Sequence, residues 1–201
     1  MGHSITLRGN YVDLRPLEEA DAEMTLRWRL SQRARMLTSG AATVEEQAAW
    51  IRSRPASEYN WVIALKDGTP VGMLSLIGVN EVMRHAETAR FLIGEEDKVK
   101  GVPAAVEAMK LLYEYAFDTL KLARLYGNVA SGNSLMVKWQ IYLGMKQEGR
   151  MRDHYIFDGA FQDAIILGLL ESEYRNESLP RMKALIDMAR KADNVPEGVR
   201  V

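Results

Sequence analysis

Lys98-Val99-Lys100-Gly101-Val102-Pro103-Ala104-Ala105 is a basic, glycine-containing turn that leads into a long helical pattern. Behind it Ala105, Met109, Leu112, Tyr113, Ala116, Phe117 and Leu120 recur at steps of three and four, one apolar stripe on one helix. Ahead of it Glu87 to Ile93 reads as a strand, ended by Gly94 and the charged Glu95-Glu96-Asp97. Strand, glycine turn and helix in that order form a natural anion cradle, because the first amides of a helix lack intrahelical acceptors and the helix dipole favours negative charge there. An ordinary glycine loop has the same appearance, so the surrounding pattern has to decide between them.

Working outward, Arg124 to Ala130 reads as a buried strand and Ser134 to Leu143 as a helix stopped by Gly144. Two further strands flank the Asp158-Gly159 turn. Towards the N-terminus, Trp61 to Leu65 and Val71 to Ile77 flank Asp67-Gly68 as an antiparallel hairpin. Before them, Thr43 and Glu46 predict a reciprocal capping box at the start of a helix running through Trp50, and another helix is expected from about Glu18. Ile5-Thr6-Leu7 and Val12-Asp13-Leu14 around Gly9-Asn10 suit a short strand or hairpin. Leu179 through Ala192 is expected to be helical.

Composition bounds the function. The 201 residues are 47% hydrophobic and 26% charged, enough for one domain with a sizeable core. There is no cysteine, which excludes disulfides, thiolate metal sites and a cysteine nucleophile and makes the cytoplasm the expected location. The net charge of −1, with no dense Lys/Arg run, argues against a nucleic-acid partner. No apolar stretch approaches the roughly 20 residues of a membrane span, and Met1-Gly2-His3-Ser4 does not read as a signal peptide. His85 and His154 belong to no local ligand pair, so no metal is expected.

The cradle resembles the Q/R-x-x-G-x-G/A signature of the GCN5-related N-acetyltransferases (GNAT), with Lys98, Gly101 and Pro103 on its defined positions. Lys98 replaces the usual Gln or Arg, and Pro103 replaces a small residue and removes one N–H donor. The resemblance continues through Leu125-Tyr126-Gly127-Asn128-Val129, Asn133 and Gly144-Met145. It implies an α/β fold: a mixed, mostly antiparallel twisted sheet splayed between strands 4 and 5, with helices on both faces. It also implies acetyl-CoA as acetyl donor, its pyrophosphate held by amides among Val99, Lys100, Gly101, Val102 and Ala104 with Lys98 beside them, and its arm touching Asn133, which also suits a helix cap. The pantetheine would add as a strand along Leu92 and Ile93, and one N–H between Phe91 and Ile93 would stabilise the oxyanion.

Two catalytic roles follow from the resemblance. Glu87 opens the fourth strand where relatives often place an acidic base, although a solvated Glu paired with Arg84 or Arg90 fits the same sequence. Gln140 stands where many relatives carry the tyrosine that protonates the departing thiolate. Tyr142 points about 200° away from Gln140 on a helix, which leaves water or a tyrosine elsewhere, such as Tyr155, as the acid.

The first third resembles more narrowly the bacterial nucleotide-sugar N-acetyltransferases and the ribosomal-protein and polyamine branch. The residues that carry this are Trp28-Arg29, Arg35, Gln47 and Trp50, with Leu30 and Gln47 replacing an Asn and a His of the sugar branch. The late segment containing Arg152 and His154 is similar to that branch's closing hairpin. These seven residues are the expected acceptor contacts, although tryptophans at helical spacing also suit a core. The expected function is N-acetylation of a small-molecule amine, nucleotide-linked in the leading reading. A protein N-terminus, a polyamine and an acyl-CoA sensor without efficient turnover are the alternatives. Residues 1–175 are expected to form the catalytic domain and 176–201 a helical extension packed on it or on a partner, with a homodimer possible.

Overall fold

The structure, a computed structural model, describes residues 5–38 and 40–193. In chain order its elements are β1 (Leu7–Arg8), β2 (Val12–Pro16), α1 (Ala22–Arg29), α2 (Val44–Arg52), β3 (Tyr59–Leu65), β4 (Pro70–Asn80), β5 (His85–Ile93) and α3 (Ala104–Glu114). They continue as β6 (Arg124–Ala130), α4 (Ser134–Tyr142), β7 (Lys146–Phe157), β8 (Ala160–Leu170), α5 (Glu171–Glu173) and α6 (Leu179–Asp193). The eight strands form one sheet in the order β1-β2-β3-β4-β5-β6-β8-β7, antiparallel except for β5 against β6. Because the opening segment splits into β1 and β2, the strands expected as fourth and fifth are β5 and β6. Sequence positions 1–4, 39 and 194–201, including the Met1–Ser4 segment and the end of the C-terminal extension, lie outside the described residues.

Alternation along the strands sorts side chains onto two faces. Val12 and Leu14, Tyr59, Trp61 and Ile63, and Leu74 and Leu76 join Ala108, Met109 and Leu112 of α3 in the main core. On the other face Val62, Met73 and Leu92 pack against Trp28 of α1 and Ala34 in a smaller cluster. The long helical stripe is not α-helical to its end: from Tyr115 to Thr119 it widens into a π turn. Thr43 caps α2 through its hydroxyl, which accepts the Glu46 N–H at 3.2 Å, but Glu46 reaches back to the N–H of Ala42 rather than that of Thr43. α6 buries Met182 and Ile186, and the hydroxyl of Ser178 just before it donates to the Leu143 carbonyl.

One buried charge ties the sheet edge to α3. Glu107 is 3% exposed, and its carboxylate accepts the main-chain N–H groups of Asn10, Tyr11 and Val12 at 2.9, 2.6 and 2.8 Å. Charge-assisted bonds of this kind are the strong ones, and here they fix the β1–β2 turn to the helix behind the cradle.

β5 and β6 pair only over His85–Glu87 with Arg124–Tyr126. Beyond that point β6 stays paired with β8 as far as Ala130, while β5 follows β4. A bulge bends β5 as it leaves: Arg90 and Phe91 together oppose the single step between Met73 and Ser75, and Arg90 sits at φ 55°. The result is a mixed sheet, split at Glu87, with helices on both faces.

Candidate active site

The split brings together side chains from three strands. Glu87, the last β5 residue paired with β6, is half-buried and accepts from Asn128 Nδ2 at 3.4 Å. Burial pushes its carboxyl above the ordinary value of 4.5, partly offset by the Asn128 amides and by the charges of Arg90 and His154. The Tyr155 hydroxyl donates to the Asn128 carbonyl at 3.3 Å. Burial and the Glu87 charge both raise the pKa of Tyr155, and the same two causes raise that of Tyr126. Glu87 and Tyr155 thus meet through Asn128, whose side-chain amide donates to the one and whose carbonyl accepts from the other.

Tyr155 reaches this place through a second irregularity. In β7 the three residues Arg152–His154 oppose the single Asp163 of β8, with Asp153 at φ 50° and its N–H bound to Asp163 Oδ1 at 2.9 Å. His154 is exposed, packs edge-on against Tyr155 at 4.7 Å, and contributes to the field at Glu87. Arg152 is exposed beside Asp163.

Gln140 lies across the sheet from Glu87. It is 6% exposed on the inner side of α4, and its Oε1 has no hydrogen-bond partner. A Cβ on Gly127 would come within 3.3 Å of that oxygen and 3.2 Å of Thr88 Oγ1, so the absent side chain lets Gln140 and Thr88 pack closely over β6. Trp139 of α4 stacks on Phe91 at 4.8 Å. Asn133 caps α4, its side chain accepting the Met136 N–H at 3.3 Å. Leu92 and Ile93 have core side chains and pair with Met73 and Gly72, and the Ile93 carbonyl already accepts Arg33 Nε at 3.1 Å.

At the cradle Gly101 adopts φ 78°, which glycine reaches without strain. Two amides of the region, those of Lys98 and Val102, are taken by the Glu95 and Val99 carbonyls at 3.2 and 3.0 Å. Val102 is therefore used by the turn itself rather than held for a ligand. The first bond into α3 runs from Glu107 N–H to the Pro103 carbonyl, so the amides of Ala104, Ala105 and Val106 precede the helical ladder. The exposed Lys98 stands beside the turn, while Lys100 pairs with Asp97 at 2.6 Å and Val99 packs against the core.

Of the residues expected at the acceptor, Arg29, Gln47 and Trp50 line one small pocket of about 100 Å³ together with Met73 and Arg90. Trp28 does not: it is 2% exposed, its indole N–H donates to Glu95 at 2.8 Å, and Gly94 is pressed against its ring. The apolar environment above β4 and β5 claims it for packing. Arg35 is exposed and lines no part of this pocket. Sequence reasoning missed Arg90, Asn128 and Tyr126 as site residues. The parity of β6 was the available signal for Tyr126 and Asn128, which alternate with the buried Leu125 and Val129.

The Acetyltransferase (GNAT) domain family matches residues 12–146, two thirds of the chain and every element from β2 to α4. The chain belongs to the GNAT acetyltransferase family. It is 29% identical over 177 residues to "Putative ribosomal N-acetyltransferase YdaF" of Bacillus subtilis, covering 83% of this chain and 95% of that one. It is 31% identical over 121 residues to spermidine N(1)-acetyltransferase of Escherichia coli K12, covering 60% of this chain and 63% of that enzyme. A solved spermidine N-acetyltransferase from Vibrio cholerae, in complex with CoA and spermine, shares the fold with a TM-score of 0.73 at 23% identity. That match covers 84% of this chain and all of the other. Among the described residues no helix of this GNAT protein is long and apolar enough to cross a membrane, and no group of three or more His, Cys, Asp or Glu is placed to hold a metal.

Proposed function

We propose that this GNAT acetyltransferase transfers the acetyl group of acetyl-CoA by direct attack to a primary amine, with Glu87 as the base. The observation that carries this reading is the half-buried Glu87 carboxyl, held by Asn128 at the point where β5 and β6 part. The amine nitrogen forms a bond to the thioester carbon and passes its proton to Glu87, directly or through water. The tetrahedral oxyanion is stabilised by a main-chain N–H between Phe91 and Ile93. The carbon–sulfur bond then breaks, and the thiolate takes a proton from Tyr155 or from water. The pyrophosphate rests on amides among Val99, Lys100, Gly101 and Ala104, extended to Ala105 and Val106, and Asn133 and Gln140 flank the arm that enters the split.

For the acceptor, the finer reading is a nucleotide-linked amino sugar, supported by Arg29, Gln47 and Trp50 lining one pocket. A second reading, a polyamine, is favoured by the relatives named for spermidine. The relative with a ribosomal name points to a protein N-terminus. Thiol release from acetyl-CoA, measured against amino sugar nucleotides, ribosomal-protein N-terminal peptides and polyamines, tests the reading. Saturable turnover lost in Glu87→Gln supports it. Tight CoA binding without turnover of any amine makes the protein an acyl-CoA sensor instead.

A further inference from the structure

The acceptor pocket carries a charge that no polyamine needs. Of the residues lining it, Arg29 and Arg90 are cations, Thr38, Gly40, Ala41, Gln47, Trp50 and Met73 are neutral, and none is an acid. Arg29 donates to the Thr38 carbonyl and, among the described residues, forms no ion pair with a carboxylate. Burial, and after it the charge of Arg90, makes its cationic form less favourable than in water. Arg90 pairs with Glu58 at 2.9 Å and also donates to Asn60 at 3.0 Å. Arg54 shares Glu58 at 3.6 Å and stacks over the Trp50 ring at 4.4 Å, with Arg90 over the same ring at 5.0 Å. Three guanidinium groups thus converge on a region that supplies one carboxylate.

We infer that this pocket is an anion subsite: the acceptor is an amine that also carries a carboxylate or phosphate, which Arg29 and Arg90 bind while Trp50 lies alongside. This deepens the acetyltransferase reading and rests on it. The physical case is the unpaired cation. A half-buried guanidinium without a carboxylate is costly unless a ligand supplies one, and Arg offers a planar fork suited to carboxylate or phosphate oxygens. An ammonium group in the same place would face two like charges. Arg90 follows Glu87 by three residues on β5, with the bulge between Ala89 and Leu92, so the acceptor's amine and anion are placed at separate positions along one strand. The bulge at Arg90 turns its side chain to the face that Glu87 shares, and each charge acts on the other.

Aminohexanoate, aminohexyl phosphate and diaminohexane have similar length and differ in the group opposite the amine. With CoA present, calorimetry is expected to show at least tenfold tighter binding of one of the two anionic amines than of diaminohexane, and which one identifies carboxylate or phosphate as the source. Arg29→Met should weaken that amine by roughly 10- to 100-fold, the size of a charge-assisted hydrogen-bonded contact, and Arg29→Glu should reverse the preference. CoA binding by both variants serves as the check on folding, and Arg90→Lys provides a second variant if either fails it. Preference for diaminohexane, equal binding of all three, or indifference to every variant overturns the anion subsite. Turnover is scored separately: acetylation of diaminohexane or spermidine in preference to the anionic amines would leave the acetyltransferase standing and remove the subsite. Binding of the anionic amine with no acetylation would do the reverse.

Discussion

On the proposed mechanism, replacing Glu87 by glutamine removes the base and little else. The amide is isosteric, and its Oε1 can still accept Asn128 Nδ2, which is 3.4 Å away in the parent. The ionised carboxylate is the form that burial disfavours here, so the neutral amide relieves a penalty rather than creating one. General bases contribute about 10²- to 10⁴-fold, or roughly 3–5 kcal/mol of barrier, so Glu87→Gln is expected to lower kcat by that range with KM for acetyl-CoA nearly unchanged. The pH dependence has a definite sign. The folded pKa of Glu87 is raised, so if Glu87 is the base the wild-type rate is expected to climb with pH through an apparent value above 4.5, as its carboxyl loses its proton. Stability runs the other way: the contribution of Glu87 is full below its unfolded pKa and is lost as pH rises through the folded one. The melting temperature of Glu87→Gln should therefore gain on wild type between acid and neutral pH. Stopped-flow thiol release and thermal melts across pH measure both. A variant that keeps a third of kcat and the same acidic limb would place the base elsewhere.

Four other substitutions probe the scaffold and the acid. Glu107→Ala removes the acceptor of three main-chain N–H groups and should cost about 3–5 kcal/mol in urea denaturation, since those groups were bound to a buried charge. Gly94→Ala would set a Cβ 2.3 Å from the Trp28 ring, so a loss of about 1–3 kcal/mol is expected, accompanied by a change in the near-ultraviolet dichroism of the buried indole. Gln140→Leu removes an acceptor that has no partner and should raise stability by about 1 kcal/mol; a loss of stability would mean that Oε1 is satisfied in solution. Tyr155→Phe should lower kcat by about tenfold or more and abolish an alkaline limb lying above the ordinary tyrosine range. Unchanged kcat would assign the thiolate's proton to water.

The parts of this protein that were legible in its sequence are those set by periodicity and punctuation. The apolar stripe behind the cradle, Asp67-Gly68 and Asp158-Gly159 at hairpin turns and Gly144 after a helix all describe neighbours along the chain, and each has its counterpart in α3, the β3–β4 and β7–β8 turns and the end of α4. The site depends instead on where regularity fails. Arg90 enters the pocket because β5 bulges at that residue, and Tyr155 meets Asn128 because β7 spends three residues opposite Asp163; neither position carries the glycine that usually marks positive φ. An arginine in a left-handed conformation is invisible to pattern reading, since its cost is met by Glu58, Asn60 and Trp50, residues about thirty or forty positions earlier. Trp28 was misread for the complementary reason. An aromatic beside an arginine looks the same in sequence whether it faces a ligand or Gly94, and only packing across α1 and β5 separates the two. The proposed donor half of the site uses main chain and a helix start, which leave punctuation such as Gly101 in the sequence. The proposed acceptor half is written in side chains that irregular strands re-aim, and those side chains, not the shared fold, decide which amine is accepted.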